Sequence, residues 1–91
     1  MSLNSYISEV RDFLEEANVS DQDITQKINW LEEEFQLLKD SIDMNDSDKI
    51  QHQIYDMLFL LFEISISYDF DLDSEWEIGR EKKRQKYMPK I

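Results

Sequence analysis

The sequence predicts an all-α protein, a four-helix bundle in one domain spanning residues 1–91 and completed by association with a second copy. Three observations carry that reading. Apolar residues recur three and four positions apart over most of the 91 residues, the spacing of a helix face. One glycine and one proline leave little material for tight hairpins. The stretch 57–62, "MLFLLF", is apolar on every side of a helix, so it must be covered on every side. A chain this short buries a modest core and is marginal unless it associates.

The first predicted helix runs from about Leu3 to Ala17, with Leu3, Ile7, Val10, Leu14 and Ala17 along one face. "NVSDQD" interrupts it, and Ser20 followed by Asp23 resembles a capping box that opens the second helix. That helix carries Ile24, Ile28, Leu31, Phe35, Leu38 and Ile42 as an unbroken stripe, the strongest periodic signal in the chain. "DMNDSD" is a polar connection of turn and cap formers. The third helix is predicted from about Asp48 to Tyr68, with Ile50, Ile54, Met57 or Leu58, Leu61 and Ser65 as its core stripe. Asp71 is placed as the N-cap of a fourth helix reaching about Tyr87, with Pro89 as its stop.

Charge narrows the function classes. The net charge of −11 is split: residues 1–79 hold 20 acidic and 4 basic side chains, and residues 80–91 hold 1 acidic and 6 basic. A body this acidic repels polymeric nucleic acid and attracts cations. The basic end suits a small anion or an acidic surface, or simply the negative end of a helix dipole. There is no cysteine, which excludes disulfides and thiolate metal sites and fits a reducing compartment. The apolar run is far too short to span a bilayer, and the N-terminus lacks a secretory pattern. The expectation is a cytoplasmic protein without membrane contact.

One constellation has chemistry in it. At 100° per residue, Glu32, Glu33 and Gln36 fall together beside the apolar stripe of helix two, and Gln53 and Asp56 share a face of helix three. Two antiparallel helices would bring these faces together as a set of oxygen ligands for a hard cation such as Mg²⁺. The plainer alternative is that "LEEEF" is a solvated face, as expected for Glu34, and that Asp56 caps or pairs within the bundle.

These segments resemble the MazG-type family of all-α nucleotide pyrophosphohydrolases, the MazG-like proteins. Their helices carry Glu-Glu-x-x-Glu-Leu and, later, Glu-x-x-Asp running into apolar residues. Here the segments read "EEEFQL" (Glu32 to Leu37) and "QIYDMLF" (Gln53 to Phe59), and "DLDSEWEIGREKKRQKY" (Asp71 to Tyr87) is similar to the family's terminal helix. The resemblance covers about residues 24–88 and implies a four-helix MazG-like bundle. It also implies Mg²⁺- or Mn²⁺-dependent hydrolysis of ribo- or deoxyribonucleoside triphosphates to monophosphate and pyrophosphate. The implied metal ligands are Glu32, Glu33, Gln36, Gln53 and Asp56, with Glu33 orienting the water and Lys82 neutralising phosphate. The implied assembly is a homodimer or higher homo-oligomer.

Gln36 and Gln53 stand where the family has glutamates, which leaves three carboxylates in place of five. A carboxamide oxygen can coordinate but brings no charge. The sequence therefore also admits a catalytically degenerate MazG-like dimer that binds or regulates, and an unrelated helical bundle. Trp30 and Trp76 are expected in the core, with base stacking as the alternative. His52 is read as a lone surface histidine. Tyr55 and Phe35 are read as rings that fill space a substrate would use.

Overall fold

The computed structural model describes residues 2–19 and 23–88. Four helices follow one another, with no strand among the described residues: α1 Leu3–Glu16, α2 Ile24–Asp43, α3 Ser47–Tyr68 and α4 Leu72–Tyr87. Among the described residues no helix is long and apolar enough to cross a membrane.

Short polar side chains set the boundaries. Ser2 and Ser5 form a reciprocal capping box at the start of α1, with bonds of 3.0 and 3.1 Å. Asp23 accepts from the Gln26 N–H at 2.8 Å to open α2. Ser20, the expected partner in a box there, lies outside the described residues. Asp46 caps α3 through Lys49, and Asp71 caps α4 through Ser74. The helix ends need left-handed backbone, and with no glycine nearby Asn18, Asn45 and Asp69 supply it at φ of 53–55°.

α2 and α3 form an antiparallel hairpin, α1 packs against α3, and α4 packs against α1. Phe13 meets Phe59 edge-on and Tyr6 stacks on Phe62, which fixes the side of α3 that α1 covers. Ile7 and Val10 on α1 are the buried hydrophobic residues among those described. Such full burial contributes roughly 1.5–3 kcal/mol per side chain.

The start of α4 is tied to the start of α1 by polar bonds. Asp73 accepts from the Leu3 N–H at 2.8 Å and the Asn4 N–H at 3.4 Å. These are N–H groups that the first turn of a helix leaves without an internal partner, and a carboxylate there also meets the positive end of the helix dipole. Asn4 in turn accepts from the Leu72 N–H and donates to Asp71. The Asn4 amide, and then Ser74, hold the Asp71 carboxyl well below its usual range, at about 2.

The molecule is extended, 53 × 36 × 25 Å, with a radius of gyration of 15.9 Å. A compact chain of this length would have about 12 Å. Two expected stripes are the reason. Ile28, Phe35 and Ile42 of α2 are exposed, as are Ile54, Leu58 and Leu61 of α3. The residues of α2 that turn toward α3 include Lys27 and Ser41, both buried, and half-buried Leu31, Glu34 and Leu38. α2 is thus rotated by roughly 70° about its axis from the orientation its hydrophobic pattern predicts. Trp76, expected in the core, is largely exposed beside Leu3 and Leu72, while Trp30 is half-buried.

Candidate functional site

The polar residues of interest lie along the seam between α2 and α3. Lys27, Glu34 and Ser41 recur at seven-residue spacing on α2, so they stay in line as the two helices run past each other. At one end, the Lys27 ammonium, carried on a buried side chain, donates to the Ser67 hydroxyl at 3.2 Å. At the other end, the Ser41 hydroxyl bonds back to the Leu37 carbonyl.

Glu34 occupies the middle, and Asp56 stands close enough across the seam to act on its charge. Burial first, and then the Asp56 carboxylate, raise the Glu34 carboxyl above its ordinary value; His52 opposes the shift and Glu33 adds to it. Asp56 in turn pairs with the His52 Nε2 at 3.1 Å, one helical turn before it on α3. Glu34 Oε2 and Gln53 Oε1 are both buried without a hydrogen-bond partner. A buried oxygen without a donor is an unfavourable arrangement. Protonation of Glu34 removes a charge beside Asp56.

The structure does not gather the five residues predicted to hold a cation. Gln53 and Asp56 are half-buried at the seam, but Glu32, Glu33 and Gln36 are exposed on α2. At 100° per residue these three centre about half a turn from the Lys27–Glu34–Ser41 line, on the side of α2 that faces away from α3. Gln36 bonds along that outer surface to Asp40 at 3.0 Å. Among the described residues no three His, Asp or Glu side chains stand together as a metal site requires. The predicted ligand set therefore does not fit Mg²⁺ or Mn²⁺ in this arrangement, and no reaction step is derived through either ion. Lys82 is exposed on α4, which packs on α1. Tyr55 and Phe35, expected to fill the site, are both exposed.

Two residues differ from their sequence reading: Glu34 was expected in solvent and is half-buried at the seam, and His52, on the surface as expected, has a partner in Asp56. The i, i+4 spacing of His52 and Asp56 signals that pair. Glu34 is harder to see, because three consecutive glutamates allow the Glu-Glu pair to be placed at 32–33 or at 33–34. In the later register Glu34 faces α3, and the fifth position of the motif is Leu37, which cannot ligate.

No protein-family model, no curated protein and no solved structure matches the chain.

Glu34 also yields a pH prediction. A carboxyl whose folded value is raised favours folding below its unfolded value, and that contribution is lost as pH rises through the folded value. At neutral pH the Glu34→Gln variant is therefore expected to be more stable than the parent by about 1 kcal/mol, the scale of one interior hydrogen bond. The difference shrinks below the ordinary carboxylate range, where Glu34 is neutral in both states. Thermal unfolding at pH 7 and at pH 4 checks it. A variant less stable than the parent at pH 7 would mean that a favourable partner holds Glu34 as an anion.

Proposed function

We propose that this chain is a catalytically degenerate MazG-like module, a cytoplasmic homodimer that binds or regulates and does not hydrolyse nucleotides. The order of the two motifs and the terminal basic helix support the MazG-like reading. Loss of catalysis rests on one observation: Glu32, Glu33 and Gln36 lie on the side of α2 opposite Gln53 and Asp56. Phosphoryl chemistry assisted by a metal needs several carboxylates fixed around one point, both to hold the ion and to polarise the attacking water. Glu34 and Asp56 across the seam are two carboxylates, one of them biased toward its neutral form.

That same pair favours a second reading. Glu34 and Asp56, with the amide oxygen of Gln53, could serve a Mg²⁺-dependent nucleoside triphosphate pyrophosphohydrolase of low activity, in which the partner copy completes the ligand set. The two readings separate on pyrophosphate release from a panel of ribo- and deoxyribonucleoside triphosphates, with Mg²⁺ and then Mn²⁺. The expected result is no turnover above the buffer rate. Turnover that disappears in Asp56→Ala would replace the first reading with the second.

A further inference from the structure

Ile7 and Val10 seat α1 on α3, and beside them the two helices enclose a cleft of about 590 Å³, within the range of small-molecule sites. Five rings line it: Tyr6, Phe13, Tyr55, Phe59 and Phe62. Tyr6 stacks on Phe62 with ring centres 6.3 Å apart, and Phe59 meets Phe13 at 6.0 Å and Tyr55 at 6.2 Å. These contacts brace the rings from both helices, yet Phe13 and Tyr55 remain 56% and 58% exposed. Apolar surface folded into a hollow of this size differs from apolar residues scattered over a convex face, because one small molecule can touch most of it at once.

The charge around the cleft selects its ligand. Glu9 is the one charged side chain in the lining among the described residues. By helical geometry Glu16 and Asp12 fall within about 60° of Glu9, so a strip of exposed carboxylates borders the Phe13 side of the cleft. The basic residues of the body are placed elsewhere. Arg11 reaches toward Asp69, Lys27 donates to Ser67 in the α2–α3 seam, and Lys39 covers the Phe35 ring. Lys49 lies about a third of a turn round α3 from Tyr55. α4, which carries the basic end of the chain, contributes no residue to the lining. Aromatic faces carry the negative part of the ring quadrupole, so they attract a cation as the carboxylates do. An anion is repelled by the strip and by the acidic body behind it.

We propose that the cleft between α1 and α3 binds a small organic cation, an ammonium group carried on an aryl or alkyl body. The body lies against Phe59 and Phe62, and the ammonium stands between the open rings and Glu9. This site is about a third of a turn or more round α3 from Asp56 and Gln53, and it does not depend on the MazG-like reading.

Three probes with the same apolar body test it on the full chain: phenylbutyl-trimethylammonium, phenylbutanol and phenylbutyrate, which end in a cation, a neutral hydroxyl and an anion. Binding is followed at pH 8 through the amide shifts in NMR spectra. The ammonium is expected to bind with a Kd at or below about 1 mM, the alcohol about tenfold more weakly and the carboxylate more weakly still. The shifts should centre on α1 and on residues 55–62 of α3. Glu9→Gln, a change at an exposed position, should weaken the ammonium about threefold and leave the alcohol unchanged. Trp76→Ala, in a separate hollow beside Leu3 and Leu72, should alter neither. Equal affinity for all three probes would reduce the cleft to a nonspecific apolar surface and overturn the proposal. Shifts centred on Trp76 would also overturn it, as would no response to the ammonium up to about 10 mM. Movement of the same amides on concentrating the chain without a probe would assign the cleft to another copy instead. Nucleotide turnover is measured separately and bears only on the non-catalytic reading, so the two ideas fail independently.

Discussion

Lys27→Ala is expected to lower the stability of the chain by about 2–4 kcal/mol, the loss typical of truncating a long buried side chain. Lys27 is 3% exposed, so its methylene stem is packed between α2 and α3 while its ammonium reaches Ser67. Alanine removes roughly 0.8 kcal/mol for each buried methylene and leaves a cavity that two rigid helices close poorly. It also deletes a hydrogen bond from a charged donor, a class worth about 1.5–3 kcal/mol, although the parts overlap and do not simply add. A domain of this size has only about 5–13 kcal/mol in total, so the variant should unfold at a much lower urea concentration. Lys39→Ala is the contrast. That side chain is exposed over the Phe35 ring, and its loss should change stability by about 0.5 kcal/mol or less. Urea titrations followed by far-UV circular dichroism compare the two, and equal midpoints would sink the claim that the seam is held together at Lys27.

Ile7→Ala should cost a similar amount, about 2–4 kcal/mol, but should act on a different part of the molecule. Ile7 and Val10 fix α1 to α3, and α4 depends on α1 through Asp73, Asn4 and Asp71. Weakening the α1–α3 contact therefore releases α1 and α4 together and leaves the α2–α3 hairpin in place. Amide hydrogen exchange is the measurement, since it reports opening element by element. Faster exchange confined to α1 and α4 is the expected pattern. Uniform acceleration across all four helices would show that the domain opens as one unit and that α4 is not a dependent of α1.

The two substitutions divide the molecule into a hairpin held by a mixed polar and apolar seam and an arm held by Ile7, Val10, the Tyr6–Phe62 and Phe13–Phe59 ring pairs and a set of helix-end hydrogen bonds. The apolar stripes of α2 and α3 that the pattern predicts as core are turned outward, which is why few hydrophobic residues are buried among those described.

How much of this was legible in the sequence depends on the range of the interaction. The four helices and most of their ends could be read because they depend on neighbours within a turn. Asp71 was named as a cap residue and carries out that role, its side chain accepting from the N–H three residues on; Asp23 was read as the later member of a capping box begun at Ser20, and the structure makes it the N-cap itself. The left-handed residues Asn18, Asn45 and Asp69 lie in or beside the segments read as breaks.

Rotation of α2 about its axis could not be read. Two overlapping stripes on that helix have the same four-three spacing: Ile24, Ile28, Leu31, Phe35, Leu38, Ile42, and Lys27, Leu31, Glu34, Leu38, Ser41. They share Leu31 and Leu38, and hydrophobicity selects the first. The structure turns the second toward α3, where Lys27 reaches the Ser67 hydroxyl and Ser41 closes back on the Leu37 carbonyl, while Glu34 is carried into the seam beside Asp56.

A sequence alone thus determined this protein's helices, caps and charge distribution, all of which follow from residues within a turn of one another or from composition. Tertiary structure alone decided which stripe of α2 faces inward, and with it whether Glu32, Glu33 and Gln36 join Asp56 or turn away. That choice rests on pairings between α2 and α3, whose partners lie 20 to 40 residues apart, and periodicity within one helix carries no information about them.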